Sequence, residues 1–324
     1  HRLRGVQFDV AIWTNLTQDH LDFHGTMDAY RKAKERLFFE HLRPGGLAII
    51  NVDDAAGANL AARLQSNRAD IEVMTYALSA EKNPDAFLLE ASETLEGIAF
   101  QSNRSRVGRL RSPMLGEFNM ANTLAASLVA AHLADVGTSS MEDVLQAGLD
   151  ALGGVPGRLE RVNPGGQPAV FVDYAHTPDA LERALLALEP HCSGDLHAIF
   201  GCGGDRDRGK RPLMGEVAAR IADRITVTSD NPRSEDPEAI IDMIFEGIPS
   251  DTRETTTRVT SRAAAIQAVI LDADPEDVIL IAGKGHETYQ ELATGRIDFD
   301  DREHARAAIA ERSRQAPQDN RETT

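Results

Sequence analysis

The sequence predicts an α/β fold whose second half is a mostly parallel sheet with helices on both faces. Two observations carry this expectation. Short runs rich in branched apolar residues at 168–173, 195–200, 224–228 and 277–282 alternate with helical patterns at 178–189, 212–223, 237–247, 261–272 and 301–312. Each run also ends in a polar turn bearing glycine or proline: DYAHTPD (173–179), GCGGDRDRGKRP (201–212), SDNPRSEDP (229–237) and GKGHE (283–287). Ligands of open α/β sheets bind outside the carboxyl ends of the strands. Four such turns on one edge therefore predict a ligand site there, where ordinary loops need only a turn residue and a helix cap.

The first half is less regular. FDVAIW (8–13) and LAIIN (47–51) read as short buried strands, with a helix over 27–42 between them. Segments near 71–76, 86–91, 96–101 and 105–111 read as extended, and 119–134 and 140–152 as helices. GGVPGRLE (153–160) holds three glycines and a proline, which places a domain boundary there: one domain over 1–155, a second over 156–312, and a frayed polar tail over 313–324.

Composition excludes several classes. The 324 residues are 42% hydrophobic, and no apolar run approaches the roughly 20 residues of a membrane helix. No signal peptide is visible. Cys192 and Cys202 are too few for a disulfide framework, which suits a reducing cytoplasm. A net charge of −17 argues against a nucleic-acid partner, and a monomer is the default expectation. The chain opens at His1 and soon enters an apolar run, which leads us to expect a preceding N-terminal part.

The turns differ in what they offer. Gly204 to Lys210 fits the first seven positions of a phosphate loop, but Arg211 follows where a magnesium-binding hydroxyl would stand, and Asp205 and Asp207 would face the phosphates. A glycine turn aiming Arg206 at a carboxylate is the better reading, because guanidinium forks match carboxylates. Pro212 suits the first turn of the next helix. In SDNPRSEDP, Asp230 or Ser234 is expected to cap the following helix. That leaves Asn231 and Arg233 to hold a ligand with both a carboxylate and an ammonium group. In GKGHE the glycines allow close approach, and Glu287 suits an ammonium partner; His286 is open between turn packing and function.

In the first half, Thr26 is expected to cap a helix whose Met27, Tyr30, Leu37 and Phe38 form one apolar stripe. Lys34 falls on that stripe, whereas Lys32 and Glu35 do not. It is either a snorkelling lysine or a partly buried, modified or catalytic one. Asp19, His20, Asp22 and His24 suit either a cation site or a polar loop. Asn119 reads as a helix cap. Asn122 lies inside the helix at a cost in propensity, which suits an amide that reads a ligand.

These stretches, from TNLTQDHLDFHG (14–25) to GKGHE and in that order over nearly the whole chain, resemble the Mur ligase family, which builds the peptide of the bacterial cell-wall precursor. The resemblance implies a truncated part of a P-loop-type central ATPase domain followed by a Rossmann-like C-terminal domain, without the UDP-sugar domain or the phosphate loop. It implies ATP-dependent ligation through an acyl phosphate, with Mg²⁺ as cofactor. It makes His20 a Mg²⁺ ligand and Lys34 a carbamylated lysine that positions a second Mg²⁺. It puts Asn122, and with it Asn119, beside adenine, Arg158 on nucleotide phosphate, and Asp173 on the ribose with Tyr174 and His176 beside it. DNPR resembles the signature of the members that add meso-diaminopimelate to a UDP-N-acetylmuramoyl dipeptide. Arg206 and Arg233 would then meet the distal carboxylate, and Asp230, Asn231, Gly283 and Glu287 would hold the rest of that head. A lysine-adding ligase, a folylpolyglutamate synthetase and a non-catalytic amino-acid-binding module are the alternatives. The chain by itself is expected to be inactive.

Overall fold

The computed structural model describes residues 5–17, 25–134, 140–152 and 154–315. They form two compact units: one up to Gly153, the other from Gly154 onward together with 94–96 and 114–116.

In the first unit, strands β1 (Phe8–Trp13), β2 (Leu42–Asn51) and β3 (Glu72–Tyr76) form a parallel sheet in that order. The expected burial of FDVAIW is corrected: β1 lies at the edge of this sheet and alternates, with Trp13 buried and Ile12 37% exposed. Helix α1 (Met27–Arg36) is capped by Thr26, whose hydroxyl accepts from Ala29 N at 3.2 Å. It gives way to a π-helical turn, Leu37–His41, so the helix is shorter than the predicted 27–42. Helix α2 (Ala55–Asn67), capped by Asp54, occupies a stretch to which the sequence pattern assigns nothing. Strands β4 (Leu88–Thr94), β5 (Gly97–Ser102) and β6 (Arg109–Ser112) make a second sheet, followed by helices α3 (Glu117–Leu133) and α4 (Met141–Leu152). Leu47 and Ile49 of β2 pack against Leu124 and Leu128 of α3. Ile50, on the opposite face, packs with Leu60 and Leu64 of α2.

The second unit is a six-stranded sheet. Its strands are β7 (Glu160–Arg161), β8 (Ala169–Asp173), β9 (Leu196–Phe200), β10 (Arg224–Thr228), β11 (Thr256–Val259) and β12 (Val278–Ala282), in the order β11-β10-β9-β12-β8-β7. All pairs are parallel except β7 with β8. The inner strands are buried, save Arg224 at the start of β10, because α5 (Pro178–Leu188), α6 (Lys210–Ile221), α7 (Pro237–Glu246), α8 (Arg262–Asp272) and α9 (Asp301–Gln315) accompany them. A hairpin of β13 (Tyr289–Leu292) and β14 (Gly295–Asp298), absent from the sequence reading, follows β12.

The ends of these elements are tied by charge. Arg262, first residue of α8, and Asp301, first residue of α9, are both fully buried and joined by two bonds of 2.7 Å. Arg262 also donates to Ala282 O, the last carbonyl of β12, at 2.9 Å. Asp301→Asn leaves the guanidinium buried beside a neutral partner. We expect a loss of about 3–5 kcal/mol in denaturant unfolding; a loss below about 1 kcal/mol would show that the pair is dispensable.

Candidate ligand site

The four polar turns of the second unit do converge. β12 carries the chain to Gly283, whose φ of +120° favours glycine; a Cβ there would stand 2.5 Å from Asp230 Oδ2. Asp230 itself is buried (6% exposed), and burial pushes its carboxyl up, against the pull of Arg262 and then Lys284. No described residue donates a hydrogen bond to that carboxylate; its nearest cation, Lys284 Nζ, is 3.9 Å away.

Around it lies a closed polar network. Asn231 Nδ2 donates to Glu287 Oε2 at 3.0 Å, while Asn231 Oδ1 accepts from Lys284 Nζ at 3.0 Å and from Glu291 N at 2.9 Å. Lys284 Nζ also reaches Glu287 Oε2 at 3.2 Å. Arg233 stands in the left-handed region at φ +52°. Its N–H donates to Glu291 O at 3.0 Å, its Nε to Glu291 Oε2 at 2.9 Å and one terminal nitrogen to Gly204 O at 2.8 Å. The other terminal nitrogen has no partner among the described residues. Bonds from Arg296 first, then from Arg233, hold the Glu291 carboxyl below its ordinary value. Arg206 is exposed and unpaired among the described residues; its Cγ lies 3.7 Å, and Arg233 3.0 Å, from where a Cβ on Gly203 would be. Buried carboxylates and two guanidiniums with donors to spare thus meet at one sheet edge.

At the end of β8, Asp173 is buried, and both its oxygens accept backbone bonds of 2.7 Å, from Leu159 N and Ala175 N. Its carboxyl is pushed up by burial, with those two bonds opposing. The Tyr174 ring lies tilted against those of His176 (4.7 Å) and His286 (5.4 Å), and the exposed Arg158 guanidinium lies 5.2 Å from its ring centroid. His286 therefore packs in this aromatic cluster.

The polar turns differ from the expectation in their caps. Asp236, not Asp230 or Ser234, caps α7; Asp230 is buried, and Ser234 donates to Asp205 Oδ1 at 2.8 Å. Arg211, the residue that breaks the phosphate-loop pattern, is fully buried and grips Glu235 at 2.8 and 3.0 Å.

In the first unit, Lys34 is half-buried. Its Nζ donates to Asn15 O at 2.8 Å and lies 5.1 Å from the Tyr30 ring and 5.5 Å from the Trp13 ring, just beyond the end of β1. The expectation that Glu35 stays off the apolar stripe is corrected: Glu35 is 4% exposed, because Arg63, on α2, reaches it at 2.7 Å and Arg31 also pairs with it. Asn119 is not a cap but a buried residue within α3; Asn122 is exposed on the same helix. His20, with Asp19, Asp22 and His24, lies outside the described residues, and among the described residues no group of three or more His, Cys, Asp or Glu is placed to hold a metal.

Sequence reasoning passed over Lys284, although it stands inside the quoted GKGHE, and missed Gln290 and Glu291. Gln290 donates to Asp230 O at 2.6 Å. The signal for both was the YQEL-AT-GRID alternation of a hairpin.

Known proteins bear on this site. Residues 1–130 match the Mur ligase middle domain, and residues 157–285 match the domain described as Mur ligase, glutamate ligase domain. The chain is 48% identical over 314 residues to the UDP-N-acetylmuramoyl-L-alanyl-D-glutamate–2,6-diaminopimelate ligase of Synechococcus elongatus, covering 96% of this chain and 60% of that protein. It is 44% identical to the ligase of the same name from Pseudomonas putida, over 95% of this chain and 61% of the other. A solved structure of a ligase of that name superposes with a TM-score of 0.65 at 40% identity, covering 96% of this chain and 62% of its own. Mycobacterium tuberculosis folylpolyglutamate synthase, at 23% identity and a TM-score of 0.63, over 85% of this chain and 61% of its own, shares the fold. The chain spans about three fifths of the length of the curated relatives it matches.

The Glu235 carboxyl is held down to about 2, first by Arg211 and then by Asp205 N–H. A folded-state value below the ordinary 4.5 means that this stabilisation is complete above pH 4.5 and is lost as pH falls toward 2. The melting-temperature gap between the unaltered chain and Glu235→Gln should therefore be widest above pH 5 and narrow steadily down to pH 2–3. A gap constant across that range would contradict the assignment.

Proposed function

We propose that this chain, which belongs to the Mur ligase family, is the middle and C-terminal part of an ATP-dependent ligase that adds meso-2,6-diaminopimelate to UDP-N-acetylmuramoyl-L-alanyl-D-glutamate. The observation that carries the reading is Asp230: a buried carboxylate with no hydrogen-bond donor among the described residues, set beside Asn231 and Glu287 and near two arginines whose donors are in part unused among those residues. Such a group costs free energy until a donor arrives. An ammonium group fits it, and a carboxylate on the same carbon fits Arg206 and the remaining nitrogen of Arg233. That pairing is the distal head of diaminopimelate. Lysine carries no distal carboxylate and would leave both arginines unanswered. Gly283, by leaving room for the Asp230 carboxylate, lets that group stand where the head would bind.

In this reading the acceptor carboxylate takes the γ-phosphoryl of ATP: its oxygen bonds the γ-phosphorus, the bond to the β-phosphate oxygen breaks and ADP is released. The amine of diaminopimelate then attacks the acyl carbon: a C–N bond forms, the C–O bond to phosphate breaks, phosphate leaves, and the amine loses a proton. Arg158 meets nucleotide phosphate; Tyr174 and His176 face the nucleotide; Asn119 and Asn122 belong to the adenine side. The Asp173 carboxylate holds the loop before β7 as well as serving the ribose. Lys34, half-buried at a strand end beside two rings, suits carbamylation, and the added carboxylate with His20 would hold Mg²⁺. The metal, when bound, neutralises charge on the transferring phosphoryl group. The reading places the protein in the cytoplasm as a monomer, away from membranes and nucleic acid; among the described residues no helix is long and apolar enough to cross a membrane.

Calorimetric titration of this chain tests the reading. Meso-diaminopimelate should bind, L-lysine should bind about 10- to 100-fold more weakly, and Arg206→Ala should erase most of that difference, since a hydrogen bond to a charged group contributes about 1.5–3 kcal/mol. Equal binding of both amino acids, or of neither, overturns it. The chain alone, lacking a complete phosphate loop, should show no ATP-dependent ligation in a radiolabelled assay.

A further inference from the structure

We propose that Lys284 is the positioning residue of this edge, a buried ammonium that fixes the orientation of the Asn231 amide and the place of the Glu287 carboxylate before any amino acid arrives. The inference rests on the ligand reading above for its consequence, but not for its geometry.

Lys284 is wholly buried. Its ammonium is 3.0 Å from Asn231 Oδ1 and 3.2 Å from Glu287 Oε2, and Glu291 N shares the same Asn231 oxygen at 2.9 Å. Two donors converge on one atom of the amide, so that atom must be the oxygen. The reversed amide would press its NH₂ against an ammonium and a backbone N–H. The NH₂ is thereby turned to Glu287 Oε2, 3.0 Å away. With Oε2 taking both donors, Glu287 Oε1 has, among the described residues, only the Tyr289 hydroxyl, at 3.4 Å, and is the oxygen left for a ligand ammonium. The same cation lies 3.9 Å from Asp230 Oδ1, between the two carboxylates that would meet that ammonium. One side chain therefore sets three groups of the edge.

Packing alone does not call for a lysine here. A methionine of similar length fills such a space, and buried ion pairs are often replaced by hydrophobic side chains without loss of stability. What methionine lacks is the donor that selects the amide orientation.

The test uses Lys284→Met, Asn231→Ala and the double variant of the full chain. In the ¹⁵N-labelled protein without ligand, solvent exchange of the Asn231 side-chain NH₂ should quicken about tenfold in Lys284→Met, as for the loss of one hydrogen bond, and its resonances should move. Each single variant should weaken meso-diaminopimelate binding at least about tenfold, and the double variant should lose clearly less than the product of the two single losses, because Lys284 acts in part through Asn231 and residues acting through one another are not additive. Multiplying losses, or an unmoved amide signal, would overturn the proposal. Should Lys284→Met fail to fold, the unaltered chain decides: the Lys284 ammonium, bonded to Asn231 Oδ1 and Glu287 Oε2, must exchange slowly enough to be seen as its own ¹⁵N signal at neutral pH, and an ammonium averaged with solvent would refute Lys284 as the holder. If the unaltered chain binds no diaminopimelate, the ligand reading fails, while the amide signal still judges Lys284.

Discussion

The end of β12 is the constraint on which the ligand edge depends, and the buried Arg262–Asp301 pair sets it. The pair holds the first residues of α8 and α9 together, and the same guanidinium holds Ala282 O. The next residue is Gly283, whose N–H donates to Asp173 O at 3.0 Å and whose missing Cβ makes room for Asp230. Lys284 then enters the interior. From one ion pair the chain is thus led to three of the four strand ends that bear polar turns, those of β12, β8 and β10. Along this path Arg262 and Lys284 face three carboxylates, Asp301, Asp230 and the half-buried Glu287, which leaves one anion in surplus. A surplus anion beside an under-bonded carboxylate is the electrostatic setting for a cation.

Backbone strain gathers at the same place. Arg233 at φ +52°, Asp205 at +53° and Leu159 at +43° are non-glycine residues in the left-handed region, each at a cost of order 1 kcal/mol. Each is held by a specific bond: Arg233 N to Glu291 O, Asp205 N to Glu235 Oε1, Leu159 N to Asp173 Oδ2. The arginine that would read a carboxylate is thus itself held by hairpin β13–β14, and two of the acidic residues in the polar turns, Glu235 and Asp173, hold backbone.

This explains what was legible in the sequence. Strands covered on both faces declare themselves as continuous apolar runs, so β8, β9, β10 and β12 fall within a residue of their expected positions. The polar turns were equally visible, because four of them repeat on one edge. What escaped were features decided at long range. Glu35 looks solvent-facing by helical spacing, yet Arg63, 28 residues on, allows it to be buried. Hairpin β13–β14 is short, its second strand wholly exposed, so no apolar face announces it. Lys284 reads as a turn residue between glycines; only the fold shows it pointing inward at Asn231, 53 residues away. Local pattern finds where a site is; the wiring that sets its atoms is tertiary.

The wiring also fixes where specificity resides. Every bond of the set Asp230, Asn231, Arg233, Lys284, Glu287 and Glu291 closes within the second unit, onto strand ends and the hairpin. Lys34 and the two helical asparagines belong to the first. In the reading proposed above, the amino-acid head is held at one sheet edge preset by buried cations, while the nucleotide is met by residues at the end of β8 and by the asparagines of the first unit. Such a division lets the amino-acid pocket change, by exchanging a turn such as DNPR, without disturbing the residues that would handle the nucleotide. It also demands that the turn be supported from outside itself. The Arg233 side chain reads nothing unless Glu291 holds its Nε and Gly204 its terminal nitrogen, so a DNPR sequence grafted onto a strand end without β13 would supply the letters of the signature and not its geometry.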